Sequence, residues 1–262
     1  MTTGLLPTHL LGSTGVVQRL IRTVYPYGSL RTIKRGPLKN FRLVVGPSMG
    51  FTYIWSMDGS AWDWVRLITA EQCVYDIGAN CGQSTLHLAR AVGRGGRVIA
   101  FEPAPLNFRR LVRNIELNAL TQVMPVCAAA SASDSEGSFE FSEHMSTQGR
   151  LVSLGQDNTR RASVEIIKVQ QVRLDSYKVR GWPAPSFLKI DVEGGAAAVL
   201  SGAGNIFMSC RPTVYIELHS RDEQAAVRDL LRDHRYRAYS LAGQAVEDPT
   251  AQWINPLLCR PL

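Results

Sequence analysis

One segment constrains the fold of this chain more than any other: a short apolar run that leads straight into a glycine-containing turn. Residues 73–78 predict a buried strand and residues 80–92 a helix. Gly78, Asn80 and Gly82 mark the turn where the strand leads into the helix. Glycine lets the backbone reverse and approach a ligand closely, and the start of the following helix presents free N–H groups. The segment therefore predicts an α/β protein with a ligand site outside the carboxyl end of this strand.

The rest of the chain alternates strand-like and helix-like patterns, which is typical of a mostly parallel sheet covered on both faces. Seven strands are predicted, at residues 73–78, 97–101, 122–130, 187–192, 213–219, 237–241 and 253–259. Helices are predicted at residues 80–92, 106–118, 196–207 and 223–234. Residues 134–177 depart from the alternation and predict extra β-structure joined by a polar loop at 143–161. We expect a Rossmann-like, doubly wound, mostly parallel seven-stranded sheet with an N-terminal extension and a β-rich insertion.

Composition narrows the class of protein. Hydrophobic residues make up 45% of the 262 residues and charged residues 19%, which suits a globular chain and argues against disorder. No apolar run approaches the roughly 18 residues that a membrane-spanning helix needs, so no transmembrane segment is predicted. Residues 1–17 lack a basic leader, so we expect no secretory signal and a cytoplasmic location. The five cysteines form no Cys-x-x-Cys pair, which predicts neither a disulfide framework nor a zinc site.

The excess of basic residues lies at one end of the chain. Seven of the 29 Lys and Arg residues precede the first acidic residue, Asp58, and the other 22 match the 22 Asp and Glu. The seven are Arg19, Arg22, Arg31, Lys34, Arg35, Lys39 and Arg42. We therefore divide the chain into a basic N-terminal arm and cap, residues 1–57, and a main domain, residues 58–262. The arm is either a solvated basic face or a contact for an acidic partner, such as a carrier protein, a phosphorylated glycan or an anionic lipid.

An acidic residue after the second strand strengthens the prediction of a ligand site. Glu102 lies 20 residues beyond Gly82, in the place where a carboxylate accepts hydrogen bonds from ribose hydroxyls. Dinucleotide sites share this feature, but they require glycine where this turn has Asn80. Asp76, near the strand end, suits a ligand that carries an ammonium group and would repel a pyrophosphate. The turn therefore disfavours a dinucleotide.

At these residues the chain resembles the FkbM family of S-adenosylmethionine-dependent methyltransferases. The matching pieces are residues 74–82, 98–103, 173–177, 187–194 and 217–219, with Asn107, Asn114 and Asn118 along one helix and Val199-Leu200 along another. The resemblance covers roughly residues 62–219, and the joint order of the pieces is more specific than any single piece. The chain departs from the family in two places. Alanines at 196–198 replace an acidic residue that often follows Gly194, and residues 56–63 lack an expected Glu.

The resemblance implies a class I methyltransferase fold and S-adenosylmethionine as cofactor. It implies a hydroxyl of a sugar, glycan or polyketide-like small molecule as acceptor, and no metal. The residues implied to line the methionine end of the cofactor are Asp76, Gly78, Ala79, Asn80 and Gly82. Glu102 is implied to hold the ribose, and Ala130 and Ser131 to lie near the adenine.

Four polar residues lie at or just beyond the ends of two later predicted strands and are the candidate catalytic groups: Asp191, Glu193, Glu217 and His219. Period-two geometry places Glu217 and His219 on one side of a strand, and Asp191 ends its neighbour, so we expect these side chains to meet. His219 suits a general base near neutral pH, oriented by Asp191 or Glu217. The alternative is that Glu217 and His219 bond to loop backbone and that catalysis is mainly positioning.

Three functions from different classes stay open. The first is an O-methyltransferase acting on a small molecule or glycan. The second is a nucleic-acid methyltransferase that uses the basic arm, although charge balance over the rest of the chain disfavours nucleic acid. The third is a non-catalytic module that binds S-adenosylmethionine.

Overall fold

A large eight-stranded sheet is central to the computed structural model, which describes residue 23 and residues 25–46, 60–141, 149–152 and 165–262. The strands are β1 (Leu30–Thr32), β2 (Arg42–Val44), β3 (Cys73–Ile77), β4 (Arg97–Phe101), β5 (Val123–Val126), β6 (Ala129–Ala130), β7 (Ser135–Phe141), β8 (Arg150–Val152), β9 (Glu165–Val172), β10 (Phe187–Ile190), β11 (Thr213–Ile216), β12 (Tyr236–Ser240), β13 (Ala245–Val246) and β14 (Leu257–Pro261). The α-helices are α1 (Gln83–Val92), α2 (Pro105–Leu117), α3 (Ala196–Ser201), α4 (Gly204–Ser209) and α5 (Arg221–His234). Two 3-10 helices span Ser60–Leu67 and Leu174–Tyr177.

The large sheet has the strand order β13-β12-β14-β11-β10-β3-β4-β5. Strands β11, β10, β3, β4 and β5 pair in parallel, whereas β14 runs antiparallel between β11 and β12. The central strands β3, β4 and β10 are almost wholly buried, which explains their near-continuous apolar sequences. The predicted class I, doubly wound arrangement is confirmed, with the short β13 as an additional strand at the edge.

Two predicted elements are each divided into two in the structure, and a long-range contact explains why. Residues 122–130 do not form one strand, because β6 leaves the large sheet and pairs with β9. Residues 196–207 are divided into the two short helices α3 and α4. At this break Gly202 meets the backbone just after β6, where an added Cβ atom would lie 1.9 Å from the Ser131 carbonyl oxygen. Local periodicity does not report a contact between segments so far apart in sequence.

The predicted β-rich insertion is a separate four-stranded sheet of order β6-β9-β7-β8. Strands β7 and β9 are antiparallel over their whole shared length. This sheet contributes to a small apolar cluster, formed by Phe139, Phe141 and Val169 with Ala104 and Ala129. Most of the predicted polar loop at 143–161 lies outside the described residues, but its described part contains β8, a strand that the sequence did not indicate.

The described part of the predicted arm packs against the main domain as a β1–β2 hairpin. Leu43 and Val45 are fully buried in the same apolar cluster as α1. Asn114 of α2 and Asn118, the residue that follows α2, hold the hairpin by its backbone. Asn114 Oδ1 accepts a hydrogen bond from Val44 N at 2.7 Å, and Asn118 Oδ1 accepts one from Arg42 N at 2.7 Å. The boundary at residue 57 lies outside the described residues and stays a prediction, as do the placements of Arg19 and Arg22.

A buried glutamate joins the starts of two helices beside the sheet edge. Ser220 and Glu223 form a reciprocal capping box at the start of α5. The Glu223 carboxylate is almost fully buried and also accepts hydrogen bonds from His219 N and, at 2.9 Å, from Ala196 N. Because Ala196 begins α3, a carboxylate from α5 caps the helix that lacks an acidic residue of its own at this point.

No helix in the described ranges is both long and apolar enough to span a membrane.

Candidate active site

A cavity of about 440 Å³ opens at the carboxyl ends of β3, β4, β10 and β11, a size that suits a small-molecule ligand. Its walls come from the turn after β3, from the residues that follow β4 and β10, and from the small sheet. Of the predicted site residues, nine line it: Gly78, Ala79, Asn80, Glu102, Ala130, Asp191, Glu193, Glu217 and His219. Asp76, Gly82 and Ser131 are not among the lining residues.

The turn after β3 has a backbone that its neighbours fix from two sides. Gly78 N and Ala79 N both donate to Phe101 O, at 3.1 and 2.9 Å. Gly78 has φ +80°, and a Cβ atom there would lie 2.0 Å from the Asp191 carbonyl oxygen. Asn80 adopts φ 52° and its Oδ1 accepts a hydrogen bond from the next backbone N–H at 2.7 Å. The turn therefore contacts the residues at the carboxyl ends of both β4 and β10. Gly78 is required because a side chain would clash there and because its φ is positive.

Gly82 and Ser131 are not among the residues that line the cavity, and their predicted contact with the ligand stays a prediction. Gly82, at φ +95°, faces α2, where an added Cβ atom would lie 2.9 Å from Leu111 Cδ1. Its role is to let α1 start close to α2. The Ser131 backbone is used by the fold, since its N–H donates to Val172 O at 2.9 Å and its carbonyl meets Gly202.

Glu102 holds the turn from the other side with both carboxylate oxygens. Oε2 accepts a hydrogen bond from Asn80 N and Oε1 accepts one from Ala104 N, each at 2.9 Å. The side chain is buried, and burial raises the pKa of Glu102 to about 7 against the lowering effect of these hydrogen bonds. The Asn107 side chain is a third hydrogen-bond partner of Glu102, so about one of the four lone-pair sites of the carboxylate is left to accept from a ligand in the cavity.

The Asp76 side chain faces the interior of the protein, and its predicted contact with a ligand ammonium stays a prediction. Its carboxylate is fully buried and accepts hydrogen bonds from Ser84 Oγ at 2.8 Å and Thr85 Oγ1 at 2.6 Å. Its third partner is the ammonium of Lys189, 3.2 Å from Oδ1. Lys189 is the register partner of Asp76 on β10, which places the two side chains next to each other. Protein groups therefore occupy the carboxylate that the sequence assigned to a ligand ammonium.

The predicted meeting of His219 and Asp191 is present in the structure. His219 Nε2 lies 3.2 Å from Asp191 Oδ1, and its Nδ1 lies 3.4 Å from Glu193 Oε2. Glu217 does not orient the imidazole; instead its Oε1 accepts a hydrogen bond from the Tyr215 hydroxyl at 2.9 Å. In the described ranges no group of three or more His, Cys, Asp and Glu side chains is arranged to hold a metal ion.

The charges of this acidic cluster, Asp191, Glu193, Glu217 and His219, differ from the predicted ones. The hydrogen bond to Asp191 raises the pKa of His219 to about 9, against the effect of burial and with help from Glu193. Burial opposes ionisation of Asp191, yet Lys189 and His219 together hold its pKa below the ordinary value. Burial and the nearby Asp191 raise the pKa of Glu217. At neutral pH the ligand-free protein therefore favours the imidazolium form of His219, and its role as a neutral base stays a prediction.

Lys189 is the site residue that sequence reasoning missed. It lines the cavity and is 3% exposed, and its Nζ donates to Gly78 O at 2.9 Å. The available signal was a lysine in the middle of an apolar run, Phe187–Ile190, because a strand buried on both faces accommodates an ammonium only beside a counter-charge.

Aromatic and small apolar side chains complete the cavity. Phe101, Phe139 and Ala130 form one apolar wall where β4 and the small sheet meet. On another side lie Trp62 and Trp64, which stack on other rings of the protein. Trp62 lies 4.3 Å from the His87 ring and Trp64 lies 4.3 Å from the Tyr215 ring.

The strand order and the turn after β3 define a class I methyltransferase fold, and comparison with known proteins identifies the family. Residues 76–238 match the model of the methyltransferase FkbM domain, which is more than half of the chain. The chain belongs to this family, and its cofactor is S-adenosylmethionine.

Individual relatives are distant. The chain is 25% identical over 198 residues to Methyltransferase 1 of Beauveria bassiana, covering 70% of this chain and 76% of that protein. It is 29% identical over 177 residues to the hexuronic acid methyltransferase AglP of Haloferax volcanii, covering 65% of this chain and 67% of that protein. A solved methyltransferase FkbM from Methylobacillus flagellatus has 18% identity and a TM-score of 0.49. That comparison covers 72% of this chain and 43% of the other, so this chain spans less than half of the solved protein.

The site geometry predicts the titration of His219. Replacing Asp191 by Asn removes the charge that stabilises the imidazolium, so the pKa of His219 should fall from about 9 toward its ordinary value of 6.5. Because the folded pKa exceeds the unfolded one, the imidazolium stabilises the fold below about pH 6.5, and this contribution is lost as the pH rises toward 9. NMR titration of the His Cε1–H signals, assigned with His219→Gln, measures the pKa in wild type and variant. Thermal unfolding between pH 6 and 9 measures the contribution to stability. Asp248→Asn, an exposed carboxylate distant in sequence, is the control. A wild-type His219 that titrates near 6.5 contradicts the description of this cluster.

Proposed function

We propose that this methyltransferase transfers the methyl group of S-adenosylmethionine to a hydroxyl of a sugar, glycan or polyketide-like small molecule. The observation that carries the proposal is that a buried carboxylate, Glu102, and the acidic cluster line the same cavity at the strand ends. The relative named for hexuronic acid methylation supports a sugar hydroxyl as the acceptor.

In this proposal the cofactor lies across the ends of β3 and β4. Glu102 accepts a charge-assisted hydrogen bond from a ribose hydroxyl, with the acceptor site that its protein partners leave unused. The backbone of Gly78, Ala79 and Asn80 approaches the methionine end, and the apolar wall at Ala130 receives the adenine. Asp76, Gly82 and Ser131 support this arrangement from behind the wall.

The charge of the cavity suits a cationic ligand. Four carboxylates, those of Asp76, Asp191, Glu193 and Glu217, surround two cations, Lys189 and His219. With all of them ionised the group is negative by two charges, and the low dielectric of a partly buried site strengthens its attraction for positive charge. When bound, S-adenosylmethionine supplies an electrophilic methyl group to an acceptor oxygen.

Glu217 is the residue we assign as proton acceptor for the acceptor hydroxyl. His219 already carries its proton at neutral pH, and Asp191 is a weak base because two cations stabilise its ionised form. The raised pKa of Glu217 makes it the stronger base of the two carboxylates. His219 then acts as an imidazolium that holds Asp191 and Glu193 in place.

A methyl-transfer assay with labelled S-adenosylmethionine tests the function. Transfer is expected to hydroxylated acceptors, for which we would use uronic-acid glycans, neutral sugars and polyketide-like alcohols, with RNA as the competing substrate. Glu217→Gln should lower kcat by about 10²–10⁴-fold while cofactor affinity stays nearly constant. Transfer to RNA alone would favour a nucleic-acid methyltransferase. Cofactor binding without transfer to any acceptor would favour a non-catalytic module.

Cofactor affinity should depend on the ionisation of Glu102. A ribose hydroxyl donates a stronger, charge-assisted hydrogen bond to the ionised carboxylate than to the protonated acid, so affinity should fall as the pH drops through about 7. Glu102→Gln should bind at least about tenfold more weakly at pH 8, as expected for loss of a charge-assisted hydrogen bond, and should lose this pH dependence. Calorimetry between pH 6 and 8 measures both effects, with the exposed Glu116→Gln as control. Equal affinity in the Glu102→Gln variant would remove Glu102 from the cofactor site.

We also propose that the basic hairpin contacts an acidic partner or an acidic acceptor. Lys34, Arg35, Lys39 and Arg42 are exposed on the hairpin, and the hairpin sequence contains no acidic residue. Lys34→Glu with Lys39→Glu should raise the KM of an anionic acceptor and flatten its salt dependence, because exposed charges are screened over about 8 Å at 0.15 M salt. Arg232→Glu, an exposed change on α5, is the control. An unchanged KM and salt dependence would leave the hairpin a solvated basic face.

A further inference from the structure

Lys189 occupies a position where a charged side chain is costly. Strand β10 lies between β3 and β11 in the middle of the large sheet, and each of its residues is buried. Its other side chains, those of Phe187, Leu188 and Ile190, are apolar. A buried ammonium remains charged only when nearby groups compensate for the lost hydration. The contacts of Lys189 therefore show what its charge is used for.

The ammonium has three N–H donors and three partners within reach. It donates to the Gly78 carbonyl at 2.9 Å, lies 3.2 Å from Asp76 Oδ1 and lies 3.6 Å from Asp191 Oδ2. These partners belong to three parts of the chain: β3 itself, the turn that follows β3, and the residue that follows β10. One side chain thus connects the sheet interior with both the cofactor turn and the acidic cluster.

A counter-charge for Asp76 would not need this arrangement. Asp76 and Lys189 are already register partners on adjacent strands, and their ion pair is complete without the other two contacts. The Gly78 carbonyl lies in the turn that faces the cavity, and Asp191 is in contact with His219 at 3.2 Å. The additional contacts run toward the cavity, which indicates a role in the site beyond charge balance.

We propose that Lys189 is a positioning residue for methyl transfer, whose ammonium ties the Gly78 carbonyl of the cofactor turn to the carboxylate of Asp191. It fixes the turn that holds the methyl donor relative to the cluster that receives the acceptor hydroxyl. Reacting groups must be held close to their productive geometry, since a shift of about 1 Å can cost about 10²-fold in rate. This role rests on the proposed function, because it assigns the two sides of the cavity to donor and acceptor.

The test separates positioning from charge balance with a double variant. Lys189→Met alone leaves Asp76 buried without a counter-charge and should be destabilised. Adding Asp76→Asn removes both charges and keeps an oxygen that accepts from Ser84 and Thr85, so thermal unfolding should return toward wild type. If Lys189 positions the site, this stable double variant should still bind S-adenosylmethionine about tenfold more weakly or worse and lose about 10²-fold in kcat, with acceptor KM nearly unchanged. The pKa of His219 should rise further, because a positive charge near its partner Asp191 is gone.

Thr85→Val is the matched control, since Thr85 is fully buried and donates to the same Asp76 carboxylate. It should lower the unfolding temperature and leave cofactor affinity, the pKa of His219 and kcat unchanged. If the stable double variant instead has wild-type cofactor affinity, His219 pKa and kcat, the proposal is overturned and Lys189 is a counter-ion for Asp76. If the wild-type protein methylates no acceptor, the proposed function fails, but calorimetry and the His219 titration still decide whether Lys189 connects the two sides of the cavity.

Discussion

The close approach of two strand ends is the constraint on which the site depends. The segments that follow β3 and β10 lie so close together that a Cβ atom on Gly78 would clash with the Asp191 carbonyl oxygen. This contact places the turn after β3 directly beside the first residue of the acidic cluster. Lys189 then bonds to Gly78 and pairs with Asp191.

Local sequence patterns were sufficient to predict the sheet, because its central strands are buried on both faces and appear as near-continuous apolar runs. The turn and Glu102 were also predictable, since their chemistry is tied to strand ends that the pattern locates. What the sequence did not indicate was where each polar side chain points. Asp76 and Glu102 follow similar apolar runs, yet Asp76 is enclosed by Ser84, Thr85 and Lys189, whereas Glu102 lines the cavity.

The remaining errors arise from contacts between distant segments. The protonation of His219 depends on Asp191 and Glu193, which lie 28 and 26 positions earlier in the chain and approach it only after β10 and β11 pair. Strand period places His219 and Asp191 at one edge, but it gives neither the 3.2 Å distance nor the number of carboxylates around the ring. A pKa is set by these quantities. Sequence alone therefore located the cluster and misjudged its charge state.

The carboxylates that face the cavity explain what kind of ligand it selects. Burial is the largest influence on Glu102, Glu193 and Glu217, and it raises the pKa of all three. Ionised carboxylates in such surroundings gain most from ligands that donate hydrogen bonds or carry positive charge. Asp191 differs because Lys189 and His219 already stabilise its charge. The cavity thus combines Asp191, whose pKa is lowered, with three carboxylates whose raised pKa values favour donors and cations, a combination that suits the hydroxyl groups and positive charge of S-adenosylmethionine.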